Sequence, residues 1–166
     1  MAGHGSCGLE ILEDLPDAGT IVVPVGGGGL ISGIAAAVAT IRSDVAVWGV
    51  EPEGADAMRR SLEAGEAVHL DKVDTLADGL AAPMAGVLNH ALVAAYAQGV
   101  VTVSDAEIVA AMRLLLERTK LLAEPAGAAG LAALLEGRIP LSGDAPVAVV
   151  VSGGNVDLGL LGRLLS

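Results

Sequence analysis

The chain has 166 residues, 53% hydrophobic and 17% charged, which suits one domain with a real core and excludes a disordered chain. Aromatics make up 1%, so the core must come from Ala, Val, Leu and Ile, and the stacking platforms of single-strand nucleic-acid binders are missing. A net charge of −11 excludes nucleic acid as an expected partner, while small anions stay open because backbone N–H groups bind them without Lys or Arg.

In chain order, "TIVVPV" (20–25) is a β-branched run closed by glycines and reads as a buried strand. "LISGIAAAVATI" (30–41) follows as an Ala-rich helix, and "VAVWGV" (45–50) as a second strand ending at Glu51-Pro52. Residues 55–64 read as a solvent-facing helix and residues 66–83 as a long connection. A helix over 84–97 and a strand over 100–103 come next. Ser104 and Glu107 then form an S-x-x-E capping box that opens a helix over 105–119. "AEPAGAAGLAALLEG" (123–137) begins a helix at Pro125, a favoured first-turn position. "PVAVVVSGGN" (146–155) reads as a third buried strand, and residues 156–165 as a last helix. No element is assigned before residue 20.

Residues 18–41 and 79–104 carry no formal charge and have the length of a membrane span. Pro24 and the glycines interrupt the first, and Asn89, His90 and Gln98 the second, so no membrane partner is expected. The N-terminus lacks a basic region followed by an apolar one, and the single cysteine, Cys7, fits a reducing compartment; a cytoplasmic location is expected.

Apolar strands alternating with helices imply an α/β fold, three layers with a mostly parallel sheet and helices on both faces. Such folds bind ligands at the carboxyl ends of strands, where this chain carries Gly26, Gly27, Gly28 and Gly29, then Glu51, then Ser152 to Asn155. Strand, glycines and helix together form an anion cradle. A P-loop fails because Lys72 and Lys120 are the only lysines and neither follows a glycine loop. A Rossmann-type nucleotide-binding domain misses its spacing: G-x-G-x-x-G needs glycine at Ile31 or Ser32. The phosphate cup of a pyridoxal-phosphate enzyme and a glycine turn that merely packs a helix both remain.

"PVGGGGLISGIA" resembles the tetraglycine loop of the fold-type II pyridoxal-phosphate enzymes, in particular the threonine/serine dehydratase (ammonia-lyase) and serine racemase group. "AGHGSCGLEI" (2–11), "GVEPEGAD" (49–56), "LADGLA" (76–81), "KLLAEPAGAAGLAAL" (120–134) and "VVVSGGNVD" (149–157) resemble further segments of that group in order and spacing. His4 and Ser6 stand where Gln and Thr are usual. The resemblance covers essentially the whole chain and implies the tryptophan synthase beta-like fold. Residues 1–166 would be a single partial domain, the cofactor-phosphate-binding part of the large domain.

The resemblance also implies roles. Gly26, Gly27, Gly28 and Gly29 would donate backbone hydrogen bonds to the phosphate of pyridoxal 5'-phosphate. Ser152 would face the pyridine nitrogen, where a neutral hydroxyl gives a weaker electron sink than a carboxylate and suits loss of a β-hydroxyl; its alternative is a helix N-cap. Glu124 would lie near the cofactor ring, with a first-turn carboxylate stabilised by the helix dipole as the alternative. Asp78 and Gly79 would pass close to the cofactor, or simply form an Asp-Gly turn. Glu51 and the carbonyl of Ala55 would be ligands for Mg²⁺ or Ca²⁺, but the family's third ligand, an aspartate, is Ala57 here and Asp56 comes one residue early. His69, His90 and Cys7 have no metal-ligand spacing.

Neither Lys72 nor Lys120 resembles the family's Schiff-base lysine, which lies in an upstream S-x-K-x-R segment, so no catalytic residue is assigned in this chain and residues 1–166 alone are expected to be inactive. The activity implied for the whole is α,β-elimination from threonine or serine to a 2-oxo acid and ammonia, by a homo-oligomer. Serine racemisation is the alternative within the group, and a non-catalytic remnant or a Rossmann-type nucleotide-binding domain is the alternative outside it.

Overall fold

The structure is a computed structural model that describes residues 2–141 and 143–165. Four strands, β1 (Thr20–Pro24), β2 (Ala46–Pro52), β3 (Gly99–Val103) and β4 (Val147–Val149), form one sheet in the order β3-β2-β1-β4, with every neighbour parallel. The helices are α1 (Ala2–Asp14), α2 (Gly29–Ile41), α3 (Ala57–Ala64), α4 (Val87–Tyr96), α5 (Asp105–Thr119), α6 (Pro125–Leu135) and α7 (Leu158–Leu165). This is the expected α/β architecture.

Alternation along β1 divides the core. Val22 packs with Ile108, Met112 and Ala129 on the face covered by α5 and α6, to which Leu161 and Leu164 of α7 add. Ile21 and Val23 point the other way, towards Ile31, Ile34 and Val38 of α2, Met58 of α3 and Val93 of α4. Both faces of β1 are therefore buried along its whole length, which explains its unbroken apolar sequence.

Three elements differ from the sequence expectation. Residues 2–14 form a helix, although they include three glycines, because Gly5 and Gly8 lie directly on α2. A Cβ at Gly8 would come within 3.2 Å of the Ile34 carbonyl oxygen, so bare backbone lets the two helices approach closely. The strand expected over 146–155 is a half-buried edge strand over Val147–Val149, because the segment after it is drawn onto the start of α6. And α3 is not simply solvent-facing: Ala57, Met58 and Ser61 are buried.

The winding places the site. β1 leads into α2 on one face, while β4 leads into α7 on the other. Adjacent parallel strands whose following helices diverge leave a crevice at their carboxyl ends, the topological switch point of an open α/β sheet.

Candidate functional site

The crevice between β1 and β4 holds a cavity of about 260 Å³ lined by Gly26, Gly27, Gly28, Gly29, Gly79 and Ser152, with His4 of α1 at its side. The glycines serve different needs. Gly28 has φ of +87°, in the left-handed region, and a Cβ there would run into the Met58 methyl. Gly26 lies under the Asp78–Leu80 3₁₀ turn, where a Cβ would sit 3.3 Å from the Leu80 Cα. At Gly27 a Cβ would meet no protein atom within 4 Å, and at Gly29 only the His4 ring at 3.8 Å. Packing does not require glycine at those two positions.

Helix α2 starts at Gly29 with Gly28 as its N-cap, so its first-turn amides have no side-chain cap and its positive end faces the cavity. Free amides, a helix dipole and room are the ingredients of a phosphate site. The donors present fit the phosphate end of pyridoxal phosphate.

Glu124, the N-cap of α6, makes no side-chain cap bond. Its N–H donates to the Gly153 carbonyl at 3.0 Å, and its carboxylate accepts the Asn155 N–H at 3.0 Å. A side chain at Gly153 would collide with the same carboxylate, and one at Gly127 would sit 2.5 Å from the Gly153 carbonyl oxygen. Glu124 and Gly127 thus pin the 152–155 segment to α6. Ser152 is exposed and lines the cavity. It does not cap α7: that helix begins six residues later, and Asp157 accepts the Leu160 N–H at 2.9 Å there.

Asp78 accepts the Gly79 N–H at 2.8 Å, so its carboxylate serves its own turn. Gly79 borders Glu124: a Cβ on it would lie 2.9 Å from the Ala126 Cβ and 3.6 Å from the Glu124 carboxylate. Lys72 is exposed and paired with Asp74, and the exposed Lys120 donates to the Glu117 carbonyl; neither lines the cavity.

The expected cation ligands lie elsewhere. Glu51 is fully buried at the end of β2, and its two carboxylate oxygens accept the N–H groups of Met58 at 2.7 Å and Arg59 at 2.9 Å. Burial pushes its carboxyl up to about 7, against the lowering effect of those two amides. Asp56 is held by Arg59 and Arg60. Burial alone would raise its pKa, but the two guanidiniums outweigh it and leave the carboxyl below its usual value. Ala55 is buried in the Glu53–Ala55 3₁₀ turn, and Ala57 has no side-chain oxygen. With the oxygens of Glu51 and Asp56 committed to amides and guanidiniums, this donor set does not fit a resident divalent cation. Among the described residues no group of three or more His, Cys, Asp or Glu side chains could hold a metal ion.

Sequence reasoning missed Asn89 of α4, whose amide Nδ2 donates to the Gly27 carbonyl at 2.7 Å. No local signal could have found it, since the two positions are 62 apart in the chain.

The fold and the glycine cradle define a class, and comparison with known sequences gives it a name: the chain belongs to the pyridoxal-phosphate dependent enzyme family, whose sequence profile matches residues 1–153. It is 45% identical over 166 residues to L-threonine ammonia-lyase of Thermotoga maritima, covering 100% of this chain and 41% of that protein. It is 41% identical over 165 residues to serine racemase of Oryza sativa subsp. indica, covering 97% and 48%. Among solved structures, the threonine deaminase of T.th. superposes with a TM-score of 0.87 at 40% identity, over 94% of this chain and 54% of that one. Maize serine racemase gives 0.90 at 41% identity, over 97% and 52%. The chain spans about half the length of the relatives it matches. Among the described residues no helix is long and apolar enough to cross a membrane.

Proposed function

We propose that residues 1–166 are a single partial domain, the phosphate-holding part of a pyridoxal-phosphate-dependent threonine/serine ammonia-lyase. The observation that carries this reading is the uncapped start of α2 beneath two glycines that packing does not require. When bound, the cofactor supplies the electron sink that lets an amino acid lose its α-proton and then its β-hydroxyl.

This chain's residues would do the holding. The amides of Gly26, Gly27, Gly28 and Gly29 bind the phosphate, and the α2 dipole adds roughly 0.3–1 kcal/mol. Ser152 offers the ring nitrogen a neutral hydroxyl, which leaves that nitrogen without a fixed proton. Glu124 holds the 152–155 segment, and with it Ser152, at a set height above α6. The amine that anchors the cofactor comes from outside residues 1–166, since both lysines here face solvent away from the cavity. Serine racemisation is the second reading, supported by the 41% identity to a serine racemase. The single unpaired cysteine supports a cytoplasmic enzyme, and a homo-oligomer of the complete polypeptide is proposed from the family resemblance. Mg²⁺ and Ca²⁺ are left out of the proposal.

The test is an assay of the polypeptide made from the complete gene, with pyridoxal phosphate and L-threonine or L-serine. Formation of 2-oxobutanoate or pyruvate with ammonia is expected, while residues 1–166 alone give none above background. D-serine on chiral analysis, without ammonia, would favour the racemase. Neither product from the complete polypeptide, or turnover by residues 1–166 alone, would contradict the proposal.

A further inference from the structure

We propose that Asn89 is the positioning residue of the phosphate loop, turning the Gly27–Gly28 peptide so that its N–H faces the anion; the inference rests on the phosphate-cup reading above. The Gly27 carbonyl oxygen is gripped by two donors from the start of α4, Asn89 Nδ2 at 2.7 Å and the Gly86 N–H at 3.1 Å. A trans peptide is planar, with its N–H pointing opposite to its carbonyl. Drawing the Gly27 oxygen towards α4 therefore turns the Gly28 N–H away from α4. Gly28 lines the cavity, whereas Asn89 and Gly86 do not, so the far side of that peptide is the ligand side.

The asparagine is itself oriented. The Ser32 hydroxyl, fully buried in the first turn of α2, lies 3.4 Å from Asn89 Oδ1 and 3.1 Å from the Gly29 carbonyl. The hydroxyl has one proton, taken at the shorter distance by the Gly29 carbonyl; the Gly27 carbonyl, which can only accept, is what selects the amide's nitrogen over its oxygen. The backbone is shaped to admit the side chain: a Cβ at Gly86 would lie 2.8 Å from Asn89 Nδ2, and one at Gly28 would lie 3.0 Å from the Asn89 Cβ. One side chain thus ties the loop, α2 and α4 together. A bare glycine loop has many conformations, and an amide already aimed at its anion avoids the ordering cost on binding.

The test uses the polypeptide from the complete gene and the variants Asn89→Asp, which keeps the shape but loses the donor, and Asn89→Ala, which adds no charge. Inorganic phosphate, pyridoxal 5'-phosphate and pyridoxal are titrated separately, and amide hydrogen exchange is followed over residues 25–33. Asn89→Ala is expected to bind phosphate and pyridoxal phosphate about three- to tenfold more weakly, the effect of one lost hydrogen bond, and Asn89→Asp more weakly still because it adds a negative charge. Pyridoxal, which has no phosphate, should bind as before, and exchange over the loop should rise with a drop in melting temperature of no more than about 2–4 °C. Where Asn89→Asp fails to fold, Asn89→Ala decides. Unchanged phosphate affinity overturns the inference and leaves the functional reading standing. An equal loss for pyridoxal also overturns it, because that is the mark of general damage. A parent protein that binds neither phosphate nor pyridoxal phosphate overturns both.

Discussion

A carboxylate taken out of water needs hydrogen bonds, a counter-charge or a proton, and Glu51 has been given two backbone amides at the start of α3. It thereby caps a helix that lies six residues further along the chain and has no side-chain cap at its own N-cap residue, Asp56. Replacing Glu51 with Ala leaves the buried Met58 amide without a partner, at roughly 1–3 kcal/mol, and the part-buried Arg59 amide at a smaller cost because water can reach it. Urea unfolding should show a loss of about that size, with Glu51→Gln intermediate because one acceptor oxygen remains. Mg²⁺ or Ca²⁺ should leave the melting temperature of the parent unchanged; a rise that Glu51→Ala abolishes would restore the metal reading. The sequence placed Glu51 correctly at the end of a strand. Its partners, amides seven and eight residues on, depend on how the chain turns through Glu53–Ala55, and residue identities do not encode that turn.

At the scale of elements, α5 shows where local sequence suffices. Ser104 accepts the Glu107 N–H and Glu107 accepts the Ser104 N–H, a complete capping box, and the helix runs over the expected Asp105–Thr119. The Ser104 amide is the main cause holding the Glu107 carboxyl below its usual value, and Arg138, three residues past α6, adds an ion pair. A carboxyl whose pKa is lowered in the folded state contributes stability above its ordinary pKa and loses it as pH falls through the folded value. Ser104→Ala should cost about 1 kcal/mol at neutral pH. Glu107→Gln should lower stability at neutral pH and flatten the acid limb of the profile; an unaltered acid limb would show that the box contributes nothing. By contrast α1 was illegible, because its glycines are unfavourable for an isolated helix by up to about 1 kcal/mol each and become useful only against α2. β4 was overestimated for a related reason: Glu124, remote in sequence, pulls residues 153–155 out of strand geometry.

For the whole molecule, the order β3-β2-β1-β4 puts the glycine loop and Ser152 at one crevice, although they lie far apart in the chain. Strand ends and the glycine run 26–29 are legible because each is a local pattern, whereas Gly79 and Ser152, which line the same cavity, are singled out individually only by the family resemblance. Asn89, Gly86 and Ser32 are legible in neither way, because their contribution exists only once α4 has been laid across the loop. The same geometry makes the central claim testable without turnover. Inorganic phosphate should be titrated into isotope-labelled protein from the complete gene while the backbone amide resonances are followed. The account predicts saturable shifts that centre on Gly26, Gly27, Gly28 and Gly29 and fade along α2. No saturable shift there, or shifts centred on Arg59 and Arg60 instead, would contradict it.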